Sequence, residues 1–136
     1  MNWPLAIAGV MSLGAAAFHG IAGDLLLLRP LRREALPSSF LGGPESSRRM
    51  MRASWHLVTL TFAASGLALL FAGMRSASVY APGMVRLLGL LYSTFALLVL
   101  AGAVLPPRPL LFRHPAPLGL SAIAVLIWVG AAGLGA

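Results

Sequence analysis

The chain has 136 residues, of which 59% are apolar and 10% are charged, with no cysteine and a formal net charge of +7. A soluble domain carries roughly 25% charged residues, and one of this size buries only about two-thirds of the surface its unfolded chain exposes. Composition therefore points to lipid as the solvent, and the missing cysteine excludes disulfides, Cys-based metal sites and thiol catalysis.

The basic residues are all arginine, a usage that fits, with abundant Ala, Gly, Pro and Leu, a GC-rich bacterial genome. The positive charge does not indicate nucleic acid, because the arginines lie between apolar runs rather than along one polar face, as the positive-inside rule would place them. Met1-Asn2-Trp3-Pro4 carries no side-chain charge, and the apolar stretch after it exceeds a signal-peptide core of about 7–15 residues. A retained first helix is expected.

The first apolar run covers residues 4–28, interrupted only by His19 and Asp24, and ends at Arg29-Pro30. The second covers 53–74, the third 84–105 and the fourth 117–134, the last opened by a proline where a helix tolerates one. Each is near the ~20 residues that cross ~30 Å of hydrocarbon, and none alternates with the period of two that a barrel strand requires. The fold class predicted is an all-α membrane protein, a single domain forming an antiparallel bundle of four transmembrane helices.

Arginine placement predicts its orientation. The loop over 29–52 holds Arg29, Arg32, Arg33, Arg48, Arg49 and Arg52, and the third connection holds Arg108 and Arg113. The second connection has Arg75, with Arg86 just inside the third run. This bias puts the first and third loops in the cytoplasm and both termini outside, in a bacterial inner membrane. Trp3, Tyr80 and Trp128 then fall near the outer boundary, where aromatic belts form. Within the first loop, Gly42-Gly43-Pro44 is a breaker followed by an unbroken stretch into Trp55, so the second helix should begin near Pro44 and project from the membrane. Arg48, Arg52 and His56 share a face of it at i, i+4, i+8 spacing. Ser12, Ala16 and Gly20, and then Ala64, Ala68 and Ala72, repeat at a spacing that lets helices pack closely in lipid.

Ionisable groups within a span are costly and demand a partner. They are His19, Asp24 and His56, with Arg52 at the boundary and His114 just before the fourth run, and all fall toward the cytoplasmic side. Asp24 is the only acid inside a span. Arg52 and His56 lie at comparable depth on the next helix, so a pair with one of them is expected to lock the first helix to the second. The alternative is a carboxylate that orients a ligating or proton-carrying histidine. His19 is expected either to hydrogen-bond across the bundle, to Ser93 or Thr94 for example, or to ligate a cofactor. His19, His56 and His114, with Asp24, could supply a metal site. Ala15, Ala16, Ala17 and Gly20 around His19 leave room for a tetrapyrrole of haem or chlorophyll type. Against a compact site, residues five apart such as His19 and Asp24 point about 140° away from each other on an ideal α-helix.

The pattern His19-x-x-x-Gly23-Asp24, a basic loop, then Arg52-x-x-Trp55-His56, resembles small bacterial four-helix membrane proteins that carry a His-x-x-x-Gly-acid motif in helix one and a Trp-His pair opening helix two. The resemblance covers the first half of the chain and implies no activity. It draws attention to His19, Asp24, Trp55 and His56.

No paired carboxylates, Ser-His-Asp spacing, nucleotide loop or quinone-specific signature points to an enzyme, and no paired mid-membrane helix breaks point to a transporter. The expectation is an accessory or scaffolding subunit of a larger membrane complex, surrounded by lipid and by other subunits or copies of itself. Arg29, Arg32, Arg33, Arg48 and Arg49 would meet a partner or anionic lipid headgroups, with no role in nucleic-acid binding. The alternative is a protein that holds a metal or tetrapyrrole through its intramembrane histidines.

Overall fold

The computed structural model describes residues 1–32, 36, 38, 42–74, 81–104 and 115–134. Arg33, Arg75, Tyr80, Arg108, Arg113 and His114, which carry sequence expectations, lie outside the described residues.

Every element among the described residues is a helix. The first, α1, is α-helical over Trp3–Ala17 and continues through two π-helical turns, Phe18–Ala22 and Asp24–Leu28. The second, α2, spans Pro44–Met74, starting at the proline that follows Gly42-Gly43, since proline suits the first turn of a helix and its lack of an N–H costs nothing there. The third, α3, spans Ala81–Val104 and the fourth, α4, spans Ala116–Ala132.

Three helical stretches are long and apolar enough to cross a membrane: Trp3–Leu28 with 26 residues, Pro44–Met74 with 31 and Pro82–Val104 with 23. With 17 residues, α4 is apolar but shorter. The outward faces are rich in large apolar side chains, among them Val10, Ile21, Leu60, Leu67, Leu97 and Val129. An apolar exterior is the arrangement a lipid solvent requires, and helices satisfy their own backbone groups there.

The described residues fall into two compact units. One comprises residues 1–12 and 65–136. Its buried side chains include Leu5, Leu69, Val85, Tyr92, Ile123 and Ile127. Asn2 secures the start of α1: its side-chain oxygen accepts the Leu5 N–H at 3.3 Å, as an N-cap residue does. The Asn2 backbone N–H donates to Gly73 O at 2.8 Å, and its side-chain amide donates to Gly130 O, also at 2.8 Å. One asparagine thus ties the beginning of α1 to the ends of α2 and α4. Deeper in this unit, Ser12, Ser65 and Tyr92 join α1, α2 and α3 through their hydroxyls. Ser65 and Tyr92 are 2.8 Å apart, Ser12 and Ser65 are 3.4 Å apart, and Ser12 also bonds Tyr92. Trp128 on α4 donates its indole N–H to Ser93 Oγ on α3 at 3.1 Å.

The other unit, residues 13–64, holds the end of α1 with its π-helical turns and the first two-thirds of α2.

Candidate functional site

The π-helical turns shape the site in the unit of residues 13–64. In an α-helix the carbonyl of His19 would accept the N–H of Gly23. Here the Gly23 N–H goes to Phe18 O and Gly20 O, and the Arg29 N–H goes five residues back to Asp24 O at 2.9 Å. The His19 carbonyl instead accepts the indole N–H of Trp55, at 2.8 Å. The side chain on α2 thus supplies a donor to a carbonyl that its α-helical donor has left, which a lipid-facing helix needs. Such π turns in helices are frequent at functional sites.

The same turns revise the angular expectation for His19 and Asp24. A hydrogen bond from residue i to i−5 closes the turn over five residues, so side chains five apart approach one face. His19 and Asp24 accordingly both meet α2, rather than pointing about 140° apart as α-helical geometry has it.

His19 packs face to face on Trp55, with ring centroids 4.1 Å apart and planes at 11°. Phe62 meets it edge-on at 5.7 Å. Its Nδ1 lies 3.0 Å from Thr59 Oγ1. The expected cross-bundle partners are therefore replaced by a residue on α2: Ser93 accepts from Trp128, and Thr94 donates back to Leu90 O at 2.9 Å. Two glycines admit this packing. A Cβ at Gly23 would come within 2.7 Å of the Trp55 indole nitrogen, and one at Gly20 within 2.8 Å of Thr59 Cγ2. His19-Gly20-x-x-Gly23-Asp24 on one helix thus fits against Arg52-x-x-Trp55-His56-x-x-Thr59 on the other.

Thr59 also bears on the tautomer of the His19 ring. Its hydroxyl donates to Trp55 O, four residues back, at 3.3 Å, as Thr61 does to Leu57 O. Threonine hydroxyls in helices commonly do so. A hydroxyl has a single proton, so with that proton on Trp55 O the Thr59 oxygen accepts from His19 and Nδ1 carries the ring hydrogen. In the neutral imidazole Nε2 then holds a lone pair.

Asp24 is the second centre. Its Oδ2 accepts from Arg29 Nε at 2.9 Å and its Oδ1 from Arg52 Nη2 at 3.1 Å, with His56 Nε2 4.0 Å from Oδ1. The carboxylate is 12% exposed, whereas the guanidiniums of Arg29 and Arg52 are 65% and 46% exposed. A buried anion is thus held by cations whose outer ends remain accessible, the arrangement that offsets its desolvation. The structure brings Asp24, Arg52 and His56 to one place, with Arg52 as the bonded partner. Arg29, expected at a partner or lipid surface, also bonds Asp24 across the π turn while its side chain stays largely exposed.

The remaining candidates are less engaged. Arg49 makes an exposed i, i+4 contact with Glu45 at 3.4 Å, a type of pair that contributes little. Arg32 is exposed, and Arg48 has its Nε enclosed without a hydrogen-bond partner. Among the described residues no group of three or more His, Asp or Glu side chains is placed to hold a metal ion.

An open cleft of about 530 Å³ borders the His19 ring, with Met51, Ser54, Trp55 and Val58 as its other walls. Sequence reasoning misses Ser54 and Thr59. The signal that could find them is helical spacing, since residues four apart share a helix face. Met51, Trp55 and Thr59 follow one such row of α2, and Ser54 and Val58 follow the row beside it.

Comparison of the chain with protein-family models, with curated proteins and with solved structures found no match.

Proposed function

We propose that this chain is a four-crossing protein of the bacterial inner membrane, with both termini outside, that serves as an accessory or scaffolding subunit of a larger membrane assembly. The observation that carries this reading is the closure of Asp24. Both of its oxygens are occupied by guanidiniums, so the one acid within an apolar span joins α1 to α2 instead of presenting a free carboxylate for chemistry. The largely apolar outward faces suit lipid or neighbouring subunits, and the exposed arginines suit anionic headgroups or an acidic partner. The arginine bias between loops supports the orientation. Mild detergent extraction followed by native electrophoresis tests the reading: a defined species well above the monomer supports it, and a monomer alone opposes it.

A second reading is favoured by a different observation. The lone pair of His19 Nε2 has no partner among the described residues, and its ring borders an open cleft. A histidine whose other ring nitrogen donates to a protein acceptor is oriented as ligating histidines are. On this reading the chain holds a cofactor or other small ligand, a metal centre or tetrapyrrole among them, through His19. An absorption spectrum and metal content of the purified protein, compared with His19→Ala, test it.

A further inference from the structure

The cleft beside His19 combines apolar walls with the polar groups of His19 and Ser54. We propose that it binds a lipid-soluble aromatic alcohol, the chemistry of a hydroquinone headgroup, whose hydroxyl donates to His19 Nε2. This rests on the reading of the chain as a ligand holder and names the ligand's class.

Three observations carry it. The first is the direction of the hydrogen bond the cleft offers. Because Thr59 donates to Trp55 O, His19 Nδ1 donates to Thr59 Oγ1, and Nε2 is left as an acceptor. An acceptor selects a hydroxyl and discriminates against a carbonyl, whose lone pairs would face that of the imidazole. The second is Ser54. Thr59 and Thr61 on the same helix return their hydroxyls to backbone carbonyls, and Ser65 bonds Tyr92. Ser54 makes no hydrogen bond among the described residues and lines the same cleft. It adds a second polar contact of either sense. The third is the remaining wall, Met51, Trp55 and Val58, in which a thioether and an indole favour an aromatic ring. Apolar walls with a few placed polar groups are the usual make-up of a small-molecule site. Large apolar side chains exposed on the same two helices, Phe18, Ile21 and Leu57 among them, are suited to the hydrocarbon from which such a ligand would enter.

The test is isothermal titration of the purified full-length protein in detergent with decyl-benzohydroquinone, its dimethyl ether and the corresponding quinone. Ascorbate keeps the hydroquinone reduced during its titration, and the quinone is titrated without it. Saturable binding of the hydroquinone at one per chain is expected, about tenfold tighter than the dimethyl ether, the difference one hydrogen bond makes. Ser54→Ala, at an exposed position, should weaken binding a few-fold and leave the fold intact. Thr59→Val keeps the side-chain shape but removes the acceptor of the Nδ1 hydrogen, so the ring proton can reside on Nε2. The preference should then move from hydroquinone toward quinone, a change that a purely structural Thr59 would not produce.

Equal affinity for hydroquinone and dimethyl ether, or an unchanged preference in Thr59→Val, overturns the proposal. So does absence of saturable binding, in one of two distinguishable ways. A Soret band or stoichiometric metal that is lost in His19→Ala would retain the ligand-holding reading and reject the hydroquinone. A protein that takes up neither would reject both.

Discussion

Trp55 and His19 are joined twice, by parallel rings 4.1 Å apart and by an indole N–H that donates to the His19 carbonyl at 2.8 Å. The second contact is possible because the π turn diverts the Gly23 N–H from that carbonyl. One aromatic side chain therefore both covers the imidazole and satisfies the backbone distortion that positions it.

This close fit predicts opposite outcomes for two glycine substitutions in one helix. Alanine at Gly23 would place its Cβ 2.7 Å from the Trp55 indole nitrogen, and overpacking of this kind costs about 1–3 kcal/mol, more than the ~1 kcal/mol that alanine gains over glycine in a helix. Gly23→Ala should lower the unfolding midpoint and shift the Trp55 fluorescence. At Gly14 nothing lies within 4 Å of the added carbon, so Gly14→Ala should raise stability by up to about 1 kcal/mol. Thermal unfolding of both variants in one detergent compares them, and equal behaviour would refute close packing at Gly23.

The Asp24 clamp predicts non-additive losses. Arg29 and Arg52 hold different oxygens of one carboxylate, so either alone leaves the anion with a cation. Arg29→Ala and Arg52→Ala should each destabilise the protein less than half as much as the double variant, and Asp24→Asn should reduce the effect of removing either arginine. Neighbours within one network are expected to couple in this way. A double-mutant cycle read by unfolding measures it, and strictly additive effects would mean that the two arginines act independently of a shared carboxylate.

Much of this arrangement was legible in the sequence, and the reasons differ by residue. The apolar runs announce helices because an apolar surface of that extent has no stable place in water. The beginning of α2 at Pro44 follows from Gly42-Gly43-Pro44. The pairing of Asp24 with Arg52 follows from the cost of an uncompensated carboxylate and the similar depth of the two positions. The π turns were not legible. They depend on which N–H reaches which carbonyl, and that choice is completed by the indole of Trp55 from another helix. With α-helical angles, residues five apart such as His19 and Asp24 point about 140° away from each other. In the structure His19 and Asp24 both meet α2, and Arg29, five residues after Asp24, bonds it.

The hydroxyls of Ser12, Ser65 and Tyr92 make a buried junction of three helices, and its strength is bounded by what hydrogen bonds contribute inside membranes. Tyr92→Phe removes one hydroxyl but keeps the ring, which is fully buried. Interhelical hydrogen bonds in membranes average about 0.6 kcal/mol and reach about 1.7, so a loss within that range is expected. Tyr92→Ala also empties the ring's volume and should cost about 3–5 kcal/mol. Similar losses for the two variants would show that the hydroxyl, rather than the packed ring, holds the junction.

Orientation can be read directly in a chain without cysteine. At 17 residues and ~1.5 Å per residue, α4 is about 25 Å long, short of the ~30 Å of hydrocarbon. A crossing there requires local thinning of the bilayer or a contribution from flanking residues, and short helices accommodate in these ways at modest cost. Single cysteines at Ser38, exposed in the arginine-rich loop, and at Gly133, just beyond α4, report the two sides. With both termini outside, a membrane-impermeant maleimide applied to intact spheroplasts should label Gly133→Cys and spare Ser38→Cys, and permeabilisation should expose both. Labelling of Ser38→Cys in intact cells would invert the orientation. Protection of both residues until permeabilisation would mean that α4 does not cross, leaving three transmembrane helices and a C-terminus on the same side as the arginines.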